Sequence, residues 1–371
     1  MLTRKAARYE QESYYIASQW RLMWRKFKSH RLAMVGTVIV GFFIVTGTLF
    51  CEFFATHDIY ERDSDYILCP PQKIHFVDAD GRFHLRPFVY HLTTERNMDT
   101  FALECTEDTT VRYPIHLLVR GDEYKLWGLF PGRLHLLGIR DEGAFYLFGT
   151  DNLGRDLFSR VFYAARISLS IGFVGVVISF VLGCILGGVS GYFGGTADMA
   201  IQRMIEFLSS IPQIPLWMAL AAAIPPSWPA LRVYFVIILI LSIIGWTGLA
   251  RVVRGYIIAL RESDMVVAAR VSGARTGPIL YRHLLPAFLS YLIVHLTLAV
   301  PSMILAETAL SFLGLGLRPP VVSWGVLLSA AQNVKTVYLN LWLMIPALFV
   351  IVTVLAFNFI GDGMRDAADP Y

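Results

Sequence analysis

Apolar runs of about 20 residues, the length a helix needs to cross hydrocarbon, recur along this chain between short polar segments. They fall at 32–54, 167–193, 199–224, 231–253, 287–306 and 341–360. The pattern predicts an all-α polytopic membrane protein of about six spans. An amphipathic stretch at 157–166 leads into the second run. The third is interrupted by Ile211-Pro-Gln-Ile-Pro215. Pro212 and Pro215 each delete a backbone donor, so the helix is expected to break there, and such a break persists in a bilayer only where protein or a cavity lines it. Gly183, Gly187 and Gly191 share one face of the second run and predict close packing on another helix.

Two segments depart from this pattern. Between the first and second runs, 55–147 reads as an extracytoplasmic insert with short β-like stretches at 73–77, 83–91, 116–119, 124–130 and 133–139. Asp80-Gly81 reads there as a type I′ hairpin turn. A small β-rich domain is the expectation, with an irregular loop as the alternative. The second departure, 307–340, carries Gly314, Gly316, Pro319 and Pro320 yet is too apolar to be simply solvated. It is expected to dip back toward the interior.

Composition strengthens the membrane reading. The chain has 371 residues, 56% of them hydrophobic and 16% charged, with a mean hydropathy of +0.55, whereas soluble domains carry about 25% charged residues. The formal charge is +4, so its placement carries the information. Arg21, Arg25, Lys26, Lys28 and Arg31 precede the first run, interleaved with Trp20, Trp24 and Phe27. Residues 1–31 are therefore expected to form a cytoplasmic helix lying in the headgroup layer. Acidic residues dominate 55–147, as expected for the outer side. Counting spans returns 254–286 and the tail 362–371 to the cytoplasm, and Arg254, Arg261, Arg270, Arg275 and Arg282 give 254–286 the positive charge that side requires. No basic block interleaved with aromatics lies outside the membrane flanks, so nucleic acid is not an expected partner. The first run starts too far in, and ends without the small-residue site, for a cleavable signal peptide.

Candidate chemistry is sparse. His283 and His295 have no Ser, Cys or carboxylate partner at a defined spacing, and no phosphate loop ending in Gly-Lys-Ser/Thr occurs. Ser168, Ser170, Ser179 and Ser242 are raw material only for an intramembrane hydrolase. Cys69 and Cys105 can pair if the insert is extracytoplasmic; two cysteines do not make a metal site. Arg203 and Glu206 sit at ion-pair spacing near the inner end of the third run. The stretch that most invites a role is 262–286, a basic, helix-prone segment between two spans with small residues at its centre and Pro286 at its end.

That segment resembles the cytoplasmic loop of ABC importer permeases, in which Glu-Ala-Ala is followed by Gly and then by Ile-x-x-x-x-Leu-Pro. Here Ala268-Ala269, Gly273, Ile279 and Leu285-Pro286 match, while Val267 occupies the glutamate position. Phe148-Gly149-Thr150-Asp151-Asn-Leu-Gly154-Arg155-Asp156 and the run from Ala306-Glu307 through Phe312, Gly314 and Gly316 to Ser323-Trp324 resemble signatures of the oligopeptide/dipeptide/nickel branch, C-type subunit. The resemblance covers 1–54 and about 148–371, with the core permease domain expected at 148–361, and nothing specific is recognised in the insert.

The resemblance implies the type I importer permease fold and a bacterial inner-membrane location. It implies a pore shared with a second, B-type permease, two cytoplasmic ATPases and an external binding protein. ATP and magnesium would be held by the ATPases and no cofactor by this chain, which would not itself be an enzyme. Glu262, Val267, Ala268, Ala269, Arg270, Gly273 and Pro286 become candidates for ATPase coupling, with Ala268, Ala269 and Gly273 pressed into the ATPase groove. Pro212, Pro215, Glu307, Phe312, Gly314, Gly316 and Trp324 become candidates for the pore or external gate. Peptides are the expected substrates, with oligosaccharides or a nickel chelate as alternatives; Trp217, Trp246, Trp324 and Trp342 suit a sugar pathway or interfacial anchoring equally. The broken third run leaves a secondary transporter as the rival class.

Overall fold

The computed structural model describes residues 19–96, 103–140 and 143–368. The expectations for 1–18 and for 369–371 lie outside the described residues. Helix α1, Gln19–Ser29, is amphipathic. Met23 and Phe27 pack against Ala33 and Ala367, while Trp20 and Trp24 face outward with Lys28 lying 5.2 Å over the Trp24 ring. His30 then accepts from the Ala33 amide at 3.1 Å and caps α2, Arg31–Phe43. A π-helical turn, Ile44–Leu49, completes the first span, and a short helix α3, Cys51–Phe54, follows.

The insert is β-rich. Strands β1 (His75–Val77), β2 (Phe83–Arg96) and β3 (Leu103–Pro114) form one antiparallel sheet, while β4 (His116–Leu126) and β5 (Phe130–Gly138) form a separate hairpin. Strand β3 leaves no apolar alternation in the sequence. It is mostly polar, and its ladder to β2 holds it together with the half-buried Cys105 and Tyr113, which pack on apolar clusters of the insert. The stretch 124–130 is not a strand of its own but the end of β4, the turn and the first residue of β5. The turn after β1 is also different from expectation. Only Gly81 takes positive φ, +81°, and Asp78 Oδ1 accepts from the Asp80 and Arg82 amides at 3.1 and 2.8 Å. It is a type I turn with a glycine bulge, pinned by an aspartate side chain, rather than type I′. Cys69 and Cys105 are bonded, with Cα atoms 5.4 Å apart.

Among the described residues, five helices are long and apolar enough to cross a membrane, six if the bent pair counts as one span. They are the first span, α4 (Leu157–Phe193), α7 (Ala230–Leu260), α9 (Leu289–Phe312) and the last, Leu341–Ala368, whose α-helical part is α12 (Ile345–Ala368). The bent pair is α5 (Gly195–Ser210) and α6 (Gln213–Ala222), which meet at 86° where Ile211-Pro212 interrupts them. Pro212 precedes α6 and Pro215 sits in its first turn, so the two prolines serve one break. The amphipathic stretch 157–166 is the first part of α4. At 37 residues that helix is about 55 Å long and outreaches the hydrocarbon.

The segment 307–340 is less of a loop than expected, because α9 continues through Phe312. Two short helices follow, α10 (Trp324–Ser329) and α11 (Val334–Leu339). Helix α10 is buried against α4, α9 and α12, with Trp324 wholly enclosed. Gly183, Gly187 and Gly191 all face α7, where any Cβ would fall on Leu249, the Ala250 carbonyl and the Arg254 carbonyl in turn. The two longest helices thus approach backbone to backbone.

Candidate functional site

Three clusters bear on function, and the first lies where α7 ends. Arg254 clamps Asp198 with Nε–Oδ1 and Nη2–Oδ2 distances of 2.6 Å each, and Ser190 donates to the same carboxylate at 2.5 Å. Arg261 reaches the Gly191 carbonyl at 3.3 Å. These bonds tie the last turns of α7 to the α4–α5 corner, a bidentate arrangement that fixes direction as well as distance. The chain then turns into α8, Asp264–Val271, followed by contiguous short helical pieces at 276–287.

Helix α8 has two distinct faces. Val266 is fully buried against Ile257, Ile279 and Leu284, and Ala269 and Ala274 are half-buried against the same group. Arg270 lies 5.7 Å over the Tyr192 ring at the end of α4. The opposite face carries Met265, Val267 and Ala268 into the open, with Val271 84% exposed. Glu262, Gly273 and Pro286 are also exposed.

Gly273 explains how the helix ends. Its φ is +79°, the Ala274 amide bonds the Ala269 carbonyl and the Gly273 amide bonds the Arg270 carbonyl, both at 3.0 Å. This pair of bonds is a Schellman cap, whose left-handed position favours glycine. Gly273 therefore ends α8, and Ala269 packs inward on the chain itself. Of the three small residues, Ala268 and Gly273 are exposed and Ala269 is half-buried, and Met265, Val267 and Val271 add apolar surface to the outward side.

The second cluster is 149–156, which acts as a knot. Thr150 Oγ1 accepts from the Cys69 amide at 2.8 Å and donates to the Tyr66 carbonyl, while its own carbonyl accepts from Trp342 at 3.0 Å. Buried Asp151 accepts from Arg155 Nε at 2.9 Å and from Arg160. Gly154 takes φ +71° with the Asp63 backbone where a Cβ would stand. Gly149 is similarly crowded by the Cys69 carbonyl. Asp156 caps α4 through the Phe158 and Ser159 amides and accepts from Thr56 Oγ1 at 3.0 Å. Burial alone would raise the Asp156 carboxyl, but His57, 3.9 Å away, and Ser159 hold it below its ordinary value. His57 is correspondingly held above its own, against the burial that would lower it, chiefly by Asp156. The segment fastens the insert to the helical body.

The third cluster centres on Glu307, which is fully buried in α9. Its carboxylate accepts from Ser323, Ser311 and Ser168 at 2.7, 2.8 and 3.3 Å. Ser168 in turn accepts from the Trp324 amide, and the Trp324 indole donates to the Val161 carbonyl, both at 3.1 Å. Glu307 and Trp324 thus fasten α10 to α4 and α9 within the core, while Gly316 packs back on Leu310 and Ser311 at the end of α9. Within this chain the carboxylate and the indole spend their hydrogen bonds inside the packing. Phe312 is half-buried, while Pro212, Pro215 and Gly314 are exposed.

A cavity of about 350 Å³ opens at membrane depth between α4, α6, α7 and α9, lined among others by Ser179, Gln213, Trp217, His295 and Ser302. Trp217 borders it, whereas Trp246 and Trp324 are buried in packing and Trp342 is bonded to Thr150. The sequence offers no periodic signal for this cavity, since its walls come from four separate helices. The Arg254–Asp198 clamp, 56 residues apart in the chain, was equally invisible to local spacing. The exposed Arg203–Glu206 pair forms as expected, at 2.8 Å.

Comparison with known proteins places these clusters in a family. Residues 145–371 match the binding-protein-dependent transport system inner membrane component. Residues 18–71 match the N-terminal transmembrane domain of oligopeptide transport permease C. The dipeptide transport system permease protein DppC of Bacillus subtilis is 42% identical over 60% of this chain and 68% of its own length. The oligopeptide transport system permease protein OppC of Haemophilus influenzae is 43% identical over 61% of this chain and 70% of its own. An inward-facing structure of the MetNI methionine ABC transporter covers 55% of this chain and 93% of that one, at 19% identity and a TM-score of 0.41; that likeness is too loose to carry a residue or a role across. With its whole helical body and its N-terminal span matched, this multi-pass chain belongs to the family of inner-membrane components of binding-protein-dependent transport systems, the permease subunits of ABC importers, in the oligopeptide permease C branch.

Proposed function

We propose that this chain forms half of the translocation pore of a peptide importer. A second permease completes the pore, two cytoplasmic ATPases drive it, and an external binding protein delivers the substrate. The observation that carries this reading is helix α8. It sets Met265, Val267 and Val271 outward at the end of a rigid three-helix corner, a surface that makes sense only when something covers it. Force applied there passes through the Arg254–Asp198 clamp and the buried Val266 cluster into α4, α5 and α7. The arginines of 254–286 and of 21–31 support a cytoplasmic location for both regions by the positive-inside rule, and an even number of spans would bring the C-terminal tail to the same side.

Short peptides are the proposed substrates. The named relatives are dipeptide and oligopeptide permeases. The cavity beside Gln213, Trp217, His295 and Ser302 supplies scattered hydrogen-bonding groups and an aromatic face without a fixed charge. Such a lining suits a substrate class varied in side chain but constant in backbone. ATP and magnesium belong to the partner ATPases in this scheme, and this chain positions rather than catalyses.

The test is reconstitution of the chain with its cognate permease, ATPases and binding protein. ATP-dependent uptake of labelled di- to pentapeptides, competed by other peptides and not by oligosaccharides, is expected. Uptake without ATP, driven by an ion gradient, would overturn the importer reading in favour of a secondary transporter. ATP-driven uptake of oligosaccharides alone would overturn the substrate.

A further inference from the structure

The β4–β5 hairpin ends in an apolar turn that rests on the end of the first span. Strand β4 closes at Leu126, the turn passes through Trp127 and Gly128, and β5 starts at Phe130. Trp127 has φ +53° and Gly128 +74°. A bulky residue in the left-handed region is costly and persists only where its surroundings hold it. The holding contacts are specific: the Trp127 indole donates to the Leu49 carbonyl at 2.8 Å, and its ring lies 6.4 Å from Phe50. Leu49 is the last residue of the first membrane span. The hairpin tip is therefore fixed at the height where hydrocarbon gives way to headgroups.

What the tip displays at that height is apolar. Trp127 is 50% exposed, Leu129 74% and Phe130 59%, and Leu49 and Phe50 are exposed beside them. No charged residue occurs from 126 to 130; Lys125 lies one residue behind, and the Glu123–Arg133 ion pair lies farther back on the strands. An aromatic and aliphatic tip with charges set behind it matches the residue order of a membrane interface. Leu49 and Phe50, which the tip contacts, end a span whose exposed side chains include Val38, Phe42 and Val45, a composition suited to lipid.

We propose that the turn Trp127–Phe130 is a lipid anchor, inserted into the leaflet on the insert's side and holding the β-rich domain against the bilayer. Trp127 acts as the positioning residue, tying the turn to Leu49. Leu129 and Phe130 supply the buried apolar surface. This goes beyond the transport reading and does not depend on which substrate is carried.

The experiment uses the full-length chain in phosphatidylcholine/phosphatidylglycerol nanodiscs, with Cys51 and Cys184 replaced by alanine. A single environment-sensitive fluorophore is attached at Leu129→Cys or, as a control at the hairpin's other end, at Leu117→Cys. Leu129→Cys is expected to give blue-shifted emission that doxyl-labelled lipids quench and aqueous iodide does not. Leu117→Cys should show the reverse. Adding Trp127→Ser should lower lipid quenching at position 129 while the Cys69–Cys105 bond and the folded hairpin persist. Water-like emission at 129 that iodide quenches would overturn the proposal. A fluorophore at 129 that becomes protected only when the partner subunits are added would also overturn it, and would assign the tip to a protein contact.

Discussion

Gly187 offers a quantitative test of the close approach between α4 and α7. A Cβ built on it would lie 2.5 Å from the Ala250 carbonyl oxygen and 2.9 Å from both Ala250 Cα and Val253 Cβ. Carbon–oxygen contacts normally begin near about 3.3 Å, so Gly187→Ala requires the helices to part by roughly 0.8 Å. Overpacking of this kind costs about 1–3 kcal/mol. Replacing a helical glycine by alanine returns up to about 1 kcal/mol through lower backbone entropy in the unfolded chain. Gly248 in α7 supplies the control, because nothing lies within 4 Å of a Cβ built there. The propensity gain is common to both variants, so their difference isolates the overpacking. Gly187→Ala should be less stable than Gly248→Ala by about 1–3 kcal/mol, roughly 30-fold in the folding equilibrium at the middle of that range. Reversible unfolding of the isolated chain in mixed micelles, titrated with sodium dodecyl sulfate, measures both. Equal stability, or a more stable Gly187→Ala, would refute the packing described here.

Further outcomes follow from the other clusters. Glu307→Ala removes the common acceptor of Ser168, Ser311 and Ser323. Buried hydrogen bonds to a carboxylate are worth about 1.5–3 kcal/mol each, so its melting temperature should fall well below that of Glu307→Gln, which keeps one acceptor oxygen. Replacing Cys69 and Cys105 by serine opens a loop spanning 36 positions, a loss of about 3–4 kcal/mol on chain-entropy grounds. The insert should then be cut by protease in intact membranes faster than the helical body. The His57–Asp156 pair should make the knot at 149–156 pH-sensitive on both sides. His57 is raised, so its contribution is complete below the free imidazole value of about 6.5 and is lost as pH rises through the folded value. Asp156 is lowered, so its contribution is complete above about 3.9 and is lost as pH falls through the folded value. Amide protection factors over residues 56–72 and 149–156, exchange corrected for its intrinsic pH dependence, should be highest between about pH 4 and 6.5, with His57→Gln abolishing the loss of protection on the alkaline side.

How much of this was legible depends on whether the cause was local. The spans announce themselves because hydrocarbon tolerates no unpaired backbone, and the break at Pro212 and Pro215 is readable for the same reason. Gly183, Gly187 and Gly191 could be read as one packing face from spacing alone. Strand β3 could not, since its inward contacts on the apolar clusters come from Cys105 and Tyr113, eight residues apart, with polar residues between them that set no period. The segment 262–286 stands out in the sequence by its small residues, but their packing needed coordinates. Gly273 and Ala269 look like docking surface in the sequence, and backbone angles and burial make one a helix terminator and the other internal packing. Glu307 and Trp324 show the same limit: the signature picks them out, but their bonds to Ser168, Ser311, Ser323 and the Val161 carbonyl needed coordinates.

This redistribution decides where the coupling reading should be tested. Gly273→Asp would strain the Schellman cap and Ala269→Glu would bury a charge, so either would disturb α8 whether or not anything docks there. Val271, at 84% exposed, touches almost nothing in the chain itself. Val271→Asp should leave thermal stability in detergent within about 0.5 kcal/mol of the unaltered chain, as surface changes do. The decisive measurement is ATP-driven peptide uptake in the reconstituted complex, read together with co-purification of the ATPase subunits. Val271→Asp is predicted to lose both. Uptake and ATPase retention equal to the unaltered chain would contradict the assignment of α8 as the element through which this permease is driven.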